Sequence, residues 1–246
     1  MNTDLELKHT KGASVLATGD GYHLAIPSGN KSSYRLAQFD DYAQFARGDF
    51  PHRPSLSLSL RARASAASLP GTWGFGLWND PFGLSIGFGG SPRRLPALPN
   101  ALWFFHASAE NHLSFGDNPG NGFLAQVFRS PAFPLGRLLK VGVTFPFSRI
   151  KAREYMGKIV EEDGVRLEVD VTQWHGYRLE WSPTRSAFWV DEALVLETSV
   201  SPRHPLGLVI WVDNQYAAFP PEGKLGFGIL ENTEPAWLEV EDLELS

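Results

Sequence analysis

Polar and apolar residues alternate first and most cleanly at Ser55–Leu60, where Leu56, Leu58 and Leu60 interleave with Ser55, Ser57 and Ser59. A period of two puts the leucines on one face of a half-buried strand, which runs on to Arg63. After a Leu-Pro-Gly turn, Thr72–Trp78 sets Trp73, Phe75 and Leu77 on one face and Gly74, Gly76 and Trp78 on the other. A face carrying two glycines admits a ligand or a neighbouring backbone closely. Similar signals, bounded by Gly, Pro or Asn, predict strands at Phe82–Phe88, Ala101–Ala107, His112–Phe115 and Phe123–Arg129. They continue at Val165–Val169, His175–Trp181, Ala187–Val190, Leu194–Thr198, Leu206–Val212, Leu225–Leu230 and Ala236–Leu245.

About a dozen short strands without a fixed-period repeat predict one all-β domain over residues 1–246, a two-sheet antiparallel sandwich. The proline-rich stretch Ser91–Asn100 reads as a loop over one end of the sheets. One segment breaks the pattern: Ser148–Glu162 is rich in Lys, Arg, Glu, Ala and Met, which predicts a short helix capped by Ser148, with Gly157 a weak point.

Composition narrows the function classes. The net charge of −5 disfavours nucleic acid as a partner, and 43% hydrophobic against 20% charged residues is a globular balance. Aromatics at 13%, with 24 Gly and 18 Pro, favour strands and turns. The absence of cysteine rules out disulfides, thiolate metal sites and a cysteine nucleophile. No secretory leader is visible at the start and no stretch approaches the roughly 18 apolar residues of a membrane span, so the expectation is a cytoplasmic protein, or a secreted one if a leader was removed.

The segment Asp170-Val-Thr-Gln-Trp-His-Gly-Tyr-Arg-Leu-Glu-Trp, continuing to Phe188-Trp-Val-Asp191, resembles the hallmark stretch of glycoside hydrolase family 16 and its concanavalin A-like lectin and glucanase relatives. Trp174, His175, Tyr177, Glu180, Trp181, Trp189, Val190 and Asp191 match it, whereas Glu192 replaces the glycine of the following turn. Thr72–Trp78 looks like that family's tryptophan-rich strand and Trp237–Leu245 like its closing strand, so the resemblance runs over about residues 55–245. It implies a jelly roll whose concave sheet forms a glycan-binding cleft.

The resemblance also implies a catalytic strand carrying Glu-x-Asp-x-x-Glu or a close variant, because retaining hydrolysis needs two carboxylates about 5–5.5 Å apart. The corresponding strand here reads Ala101-Leu-Trp-Phe-Phe-His106, with no acid before Glu110. Glu168 and Asp170 share a strand face by spacing, yet they stand where the family has an ordinary loop aspartate. Cleavage by the family route is therefore not expected.

Three places could carry other chemistry. Trp103, Phe104, Phe105 and His106 occupy the strand from which relatives project acids; either Phe104 with His106 or Trp103 with Phe105 would offer a stacking platform, the other pair packing the core. His106, which ordinarily titrates near neutrality, is an acid–base candidate. In Trp211-Val-Asp213-Asn-Gln-Tyr216 an apolar strand ends in three polar side chains, so Trp211, Asp213, Asn214, Gln215 and Tyr216 are candidates for sugar contact; a plain strand terminus is the alternative. Trp78-Asn79-Asp80-Pro81 is a good turn, but Asp80 would hang over the same cleft, and convergence of Asp80, His106 and Asp213 would make an acid–base constellation unlike the family's.

No cofactor is expected beyond a structural calcium, for which Asp242, with Glu241, stands at the position the resemblance implies. The leading expectation is a carbohydrate-active protein that holds a glycan in an aromatic cleft, stacking it on Trp78, Trp103 and Trp211. The alternatives are an enzyme performing cyclisation, isomerisation or elimination on a hydrophobic small molecule, an atypical active glycoside hydrolase, and an interaction domain.

Overall fold

The computed structural model describes residues 5–81, 94, 97–131, 148–222 and 225–246. The predicted strand Phe82–Phe88 and half of the loop Ser91–Asn100 lie outside them. The fold is a β-sandwich of two seven-stranded sheets with antiparallel pairing throughout. The first sheet contains β1 (Glu6–His9), β4 (Leu36–Asp40), β6 (Thr72–Trp78), β7 (Ala101–Ala107), β8 (Gly122–Arg129), β9 (Glu161–Arg166) and β13 (Gly207–Asp213). Their order across the sheet is β1-β4-β13-β6-β7-β8-β9.

The second sheet contains β2 (Ser14–Ala17), β3 (Gly21–Ile26), β5 (Leu56–Ala64), β10 (His175–Trp181), β11 (Ser186–Val190), β12 (Ala193–Thr198) and β16 (Ala236–Leu245), in the order β12-β11-β10-β5-β16-β3-β2. A small ribbon of β14 (Gln215–Ala218) and β15 (Gly226–Ile229) stands beside them. The core lies between the sheets, where Leu58, Leu60 and Ala62 of β5 meet Trp73, Phe75 and Leu77 of β6, together with Phe104, Trp181 and Phe188. Trp181 satisfies its indole N–H on the Pro202 carbonyl at 3.0 Å, which lets so large a ring be fully buried.

Most predicted strands form within a residue or two of their expected bounds. His112–Phe115 does not: His112 makes one bridge to Ala218, and the segment is otherwise a loop. The strand expected at Val165–Val169 lies earlier, at Glu161–Arg166, because Ala125 and Val127 pair with Val165 and Asp163 on the sheet edge. The helix α1 spans Arg149–Gly157, with the Ser148 hydroxyl accepting from the Lys151 N–H at 3.3 Å. It stops at Gly157 rather than reaching Glu162, because Glu161 and Glu162 pair with Arg129 and Phe128 on the sheet edge.

Pairing sets which residues share a face, since directly opposite residues project together. On the side of the first sheet away from the core, one row reads Leu36, Asp213, Thr72, Ala107 and the next reads Gln38, Trp211, Gly74, Phe105, Leu124. A third reads Asp40, Val209, Gly76, Trp103, Gln126, and Trp78 stands beside Ala101 in the fourth. Most of this outer face is covered, with Thr72 and Trp78 left half-buried at its two ends. Tyr42, Phe50 and Val160, with Leu98, Phe115 and Met156 of α1, pack on it as a second apolar cluster.

Candidate functional site

Four aromatic rings gather on the outer face. Trp78 and Trp211 stack with centroids 6.0 Å apart, Trp103 lies 5.7 Å from Trp211, and Phe105 lies 5.1 Å from Trp103 and 5.7 Å from Trp211. The glycines of β6 make this possible: a Cβ on Gly74 would touch the Trp211 ring at 3.0 Å, and one on Gly76 would meet Trp103 Cβ at 2.7 Å. Of the two occupants the sequence allowed for this glycine face, a ligand or a neighbouring backbone, it is the β7 backbone that lies nearest, with the Phe104 carbonyl oxygen 2.5 Å from a Cβ on Gly74 and the Leu102 carbonyl oxygen 2.3 Å from one on Gly76. Trp103 is 5% exposed and Trp211 7%, while Trp78 is half-buried and the most open of the four. The Trp103 indole donates to Gln126 Oε1 at 3.3 Å.

The cluster has a polar end. The Trp211 indole donates to Thr72 Oγ1 at 2.9 Å, and that hydroxyl donates to Asp213 Oδ1 at 2.7 Å. The Tyr34 hydroxyl donates to Asp213 Oδ2 at 3.1 Å, and the backbone N–H groups of Thr72 and Gln215 reach Oδ1 at 3.3 Å. Burial pushes the Asp213 carboxyl up to about 6, although the Thr72, Gln215 and Tyr34 donors favour its charged form. Burial, with Asp213 alongside, also raises the Tyr34 phenol well above its usual value. Thr72 and Tyr34 escaped the sequence reading. Thr72 shares the period-two face of Gly74, a signal that was present; Tyr34 lies 179 residues from Asp213 and only folding joins them.

The other expected site residues fall elsewhere. Phe104 and His106 belong to the core side of β7, where Phe104 packs among Phe75, Tyr177 and Phe188, so Trp103 and Phe105 are the pair on the outer face. His106 is 4% exposed, stacks on Trp73 at 5.4 Å, and has its imidazole pushed down to about 4 by burial. Asp80 lies beyond the opposite end of β6 from Thr72, about 25 Å along the chain at strand rise. It is buried and paired with Arg94 at 2.8 Å, and burial still raises its carboxyl. Asp80, His106 and Asp213 therefore do not converge.

Asn214 is fully buried: its Oδ1 accepts from the Arg35 N–H at 2.8 Å and its Nδ2 donates to the Leu230 carbonyl at 2.8 Å, which ties the strand end to two loops. Tyr216 lies across the bare faces of Gly226 and Gly228, and Gln215 is half-buried beside Asp213. Asp242 sits on a bulge of β16 at φ 53°, with its side chain 59% exposed and Arg61 3.9 Å away. A cation there would face the guanidinium, and among the described residues no three His, Asp or Glu side chains gather to hold a metal. This surrounding does not fit calcium.

Hydrolytic geometry can be tested on the same face. Across β13, β6 and β7 the outer-face side chains include one acid, Asp213. The next, Asp40, is on β4 but four residues out of register, about 13 Å along the strands, and is held by Lys8 at 2.6 Å and Gln38 at 2.8 Å. Glu162 on β9 is four strands across from Asp213, about 19 Å by strand spacing alone, and six residues out of register besides; it accepts from the Phe115 and Gly116 N–H groups and the Ser114 hydroxyl. None of these pairs approaches the 5–9.5 Å or so that glycoside hydrolysis requires.

No protein-family model matches the sequence, and no curated protein is similar to it. Solved structures do share its shape. A family 16 glycoside hydrolase of Bacteroides ovatus, in complex with a mixed-linkage-glucan product, superposes with a TM-score of 0.52 at 9% identity over 100% of this chain and 96% of that one. A family 16 endo-glucanase of the same organism gives 0.51 at 9% identity, again over 100% and 96%. A legume lectin-like domain from Entamoeba histolytica gives 0.50 at 11% identity over 98% and 89%. The chain has the concanavalin A-like sandwich fold that these family 16 enzymes and lectin-like domains share.

Proposed function

We propose that this protein binds a glycan on the outer face of its first sheet and does not cleave it by the two-carboxylate route. The observation that carries the reading is the joining of aromatic and polar groups at one place: Trp211, Thr72, Asp213 and Tyr34 form one hydrogen-bonded chain at the end of a four-ring cluster. A sugar has an apolar C–H face and a hydroxyl rim, so it is held by a ring on one side and a fixed acceptor on the other. Trp78 is the most open ring and Asp213 with Gln215 the polar end; Trp103 and Trp211 are buried behind Trp78 and fix its position. The lone outer-face carboxylate of β13, β6 and β7 supports binding without hydrolysis. The fold shared with a glucan-bound enzyme makes a β-glucan the first ligand to test.

Titration of tryptophan fluorescence with a panel of soluble glucans and other glycans tests it. Binding is expected, weakened about tenfold by Trp78→Ala, which removes a half-buried ring, and by Asp213→Asn, with both variants retaining the parent's circular dichroism. No new reducing ends should form. Binding unchanged in both variants, or absent across the panel, overturns the site; reducing-end release abolished by Asp213→Asn overturns the non-hydrolytic part.

A further inference from the structure

A second open feature lies on the other side of the first sheet, at the end of the sandwich. There the ends of β7 and β8, the loop at 67–68 and the chain from Arg166 to Val171 line an open hollow of about 520 Å³. That volume is within the range of small-molecule sites. The site proposed above does not include it, for none of its lining residues is Trp78, Trp211 or Asp213.

His106 lines this hollow, and its chemistry there is unexplained by packing. The residue is more than nine-tenths buried, and its Nδ1 is sealed from solvent with no hydrogen-bond partner among the described residues. The ring it stacks on, Trp73, also has its indole nitrogen buried and unpartnered. Two unsatisfied polar atoms on parallel rings are uncommon, because each loses its hydrogen bonds to water and gains none. A core position served only by packing would take Phe or Leu. With burial holding the imidazole neutral, one of its nitrogens carries a proton and the other a lone pair. Nδ1 is the sealed nitrogen, and a sealed acceptor is more readily tolerated than a sealed N–H, so the proton belongs on Nε2, the side left to meet the hollow.

The rim supplies the remaining chemistry. Arg166 is exposed there and aimed by Asn121, whose side-chain oxygen accepts from Nη2 at 2.8 Å and whose carbonyl accepts from Nε at 3.2 Å. Glu168 stands two residues on with the opposite charge, Ser68 adds a hydroxyl, and Phe123 and Val171 provide apolar wall. One cation balances one anion, so the site selects against a net charge; its donors, acceptor and apolar wall suit a ring bearing several hydroxyls. From the juxtaposition of His106, Arg166 and Glu168 around this hollow, we infer that it is a binding site for a neutral polyhydroxylated ligand, one or two sugar rings in size. The inference does not depend on the outer-face reading.

Imidazole ¹⁵N–¹H spectra of labelled protein read the site directly, with His106 assigned by His106→Gln. The probes are neutral monosaccharides and disaccharides, with acetate and inorganic phosphate as anionic controls. A saturable shift of the His106 nitrogens by at least one neutral sugar is expected. Arg166→Ala, an exposed change that spares the core, should weaken it at least fivefold, and Trp78→Ala should leave it unchanged. If no probe moves the His106 signals, if the anions move them more than the sugars do, or if Arg166→Ala has no effect, the inference fails.

Discussion

Asp191 and Glu192 join β11 to β12 with φ values of 48° and 67°, two successive left-handed residues, as a tight hairpin turn requires. Asp191 tolerates this because its side chain is engaged: the His175 ring N–H donates to Oδ2 at 2.5 Å and the Gly176 N–H to Oδ1 at 2.8 Å. These bonds hold the Asp191 carboxyl below the usual range, the His175 bond most of all. Among the described residues Glu192 has no such hydrogen bond, and it bears the steric cost of a Cβ in that region. Glu192→Gly should therefore stabilise the protein by about 1 kcal/mol, read as a higher midpoint in urea unfolding with an unchanged slope. A lower midpoint would show that Glu192 contributes something the turn geometry does not reveal. The Trp-His segment was legible in the sequence as a resemblance. What it does locally was not, because the His175–Asp191 bond spans sixteen residues and depends on β10 pairing with β11.

At the scale of elements, β6 shows how glycine decides what lies beside it. Gly76 has φ 155°, and a Cβ there would come within 2.3 Å of the Leu102 carbonyl oxygen and 2.6 Å of Trp103 Cα. Gly76→Ala must push β7 away from β6 and separate Trp103 from its neighbours, at a cost of about 3 kcal/mol. Thermal unfolding of the variant measures this, and a change under 1 kcal/mol would mean that the strands yield more easily than their backbone contact allows. Strands with one wet face, such as β5 and β10, were readable by alternation. Leu36–Asp40 was not, for β4 is buried on both faces and shows no alternation, and β1 and β2 are four-residue edge strands with little pattern to read.

For the whole molecule, two buried groups on opposite sides of the same sheet set opposing pH dependences. His106 titrates near 4 when folded and 6.5 when unfolded, so the unfolded chain binds the extra proton, and stability is lost as pH falls from 6.5 towards 4. Asp213 titrates near 6 when folded and 3.8 when unfolded, so the folded chain holds the extra proton, and stability is lost as pH rises from 3.8 towards 6. Each amounts to about 3 kcal/mol, and in the parent they largely cancel. Relative to the parent, Asp213→Asn should therefore gain stability between pH 4 and pH 7, and His106→Phe should gain it in the reverse direction. Denaturant titrations at the two pH values check both; differences that do not change with pH would refute the assignment. The sequence alone determined that this is an aromatic-rich, cysteine-free β-sandwich with no acidic row on β7, because alternation, turn residues and residue identity are local properties. Tertiary structure decided that Trp103 rather than His106 shares the outer face with Trp211, that the glycines of β6 lie against the backbone of β7, and that Tyr34 and Thr72 hold Asp213. Register and cross-sheet packing settle such matters, and both depend on residues far apart in the chain.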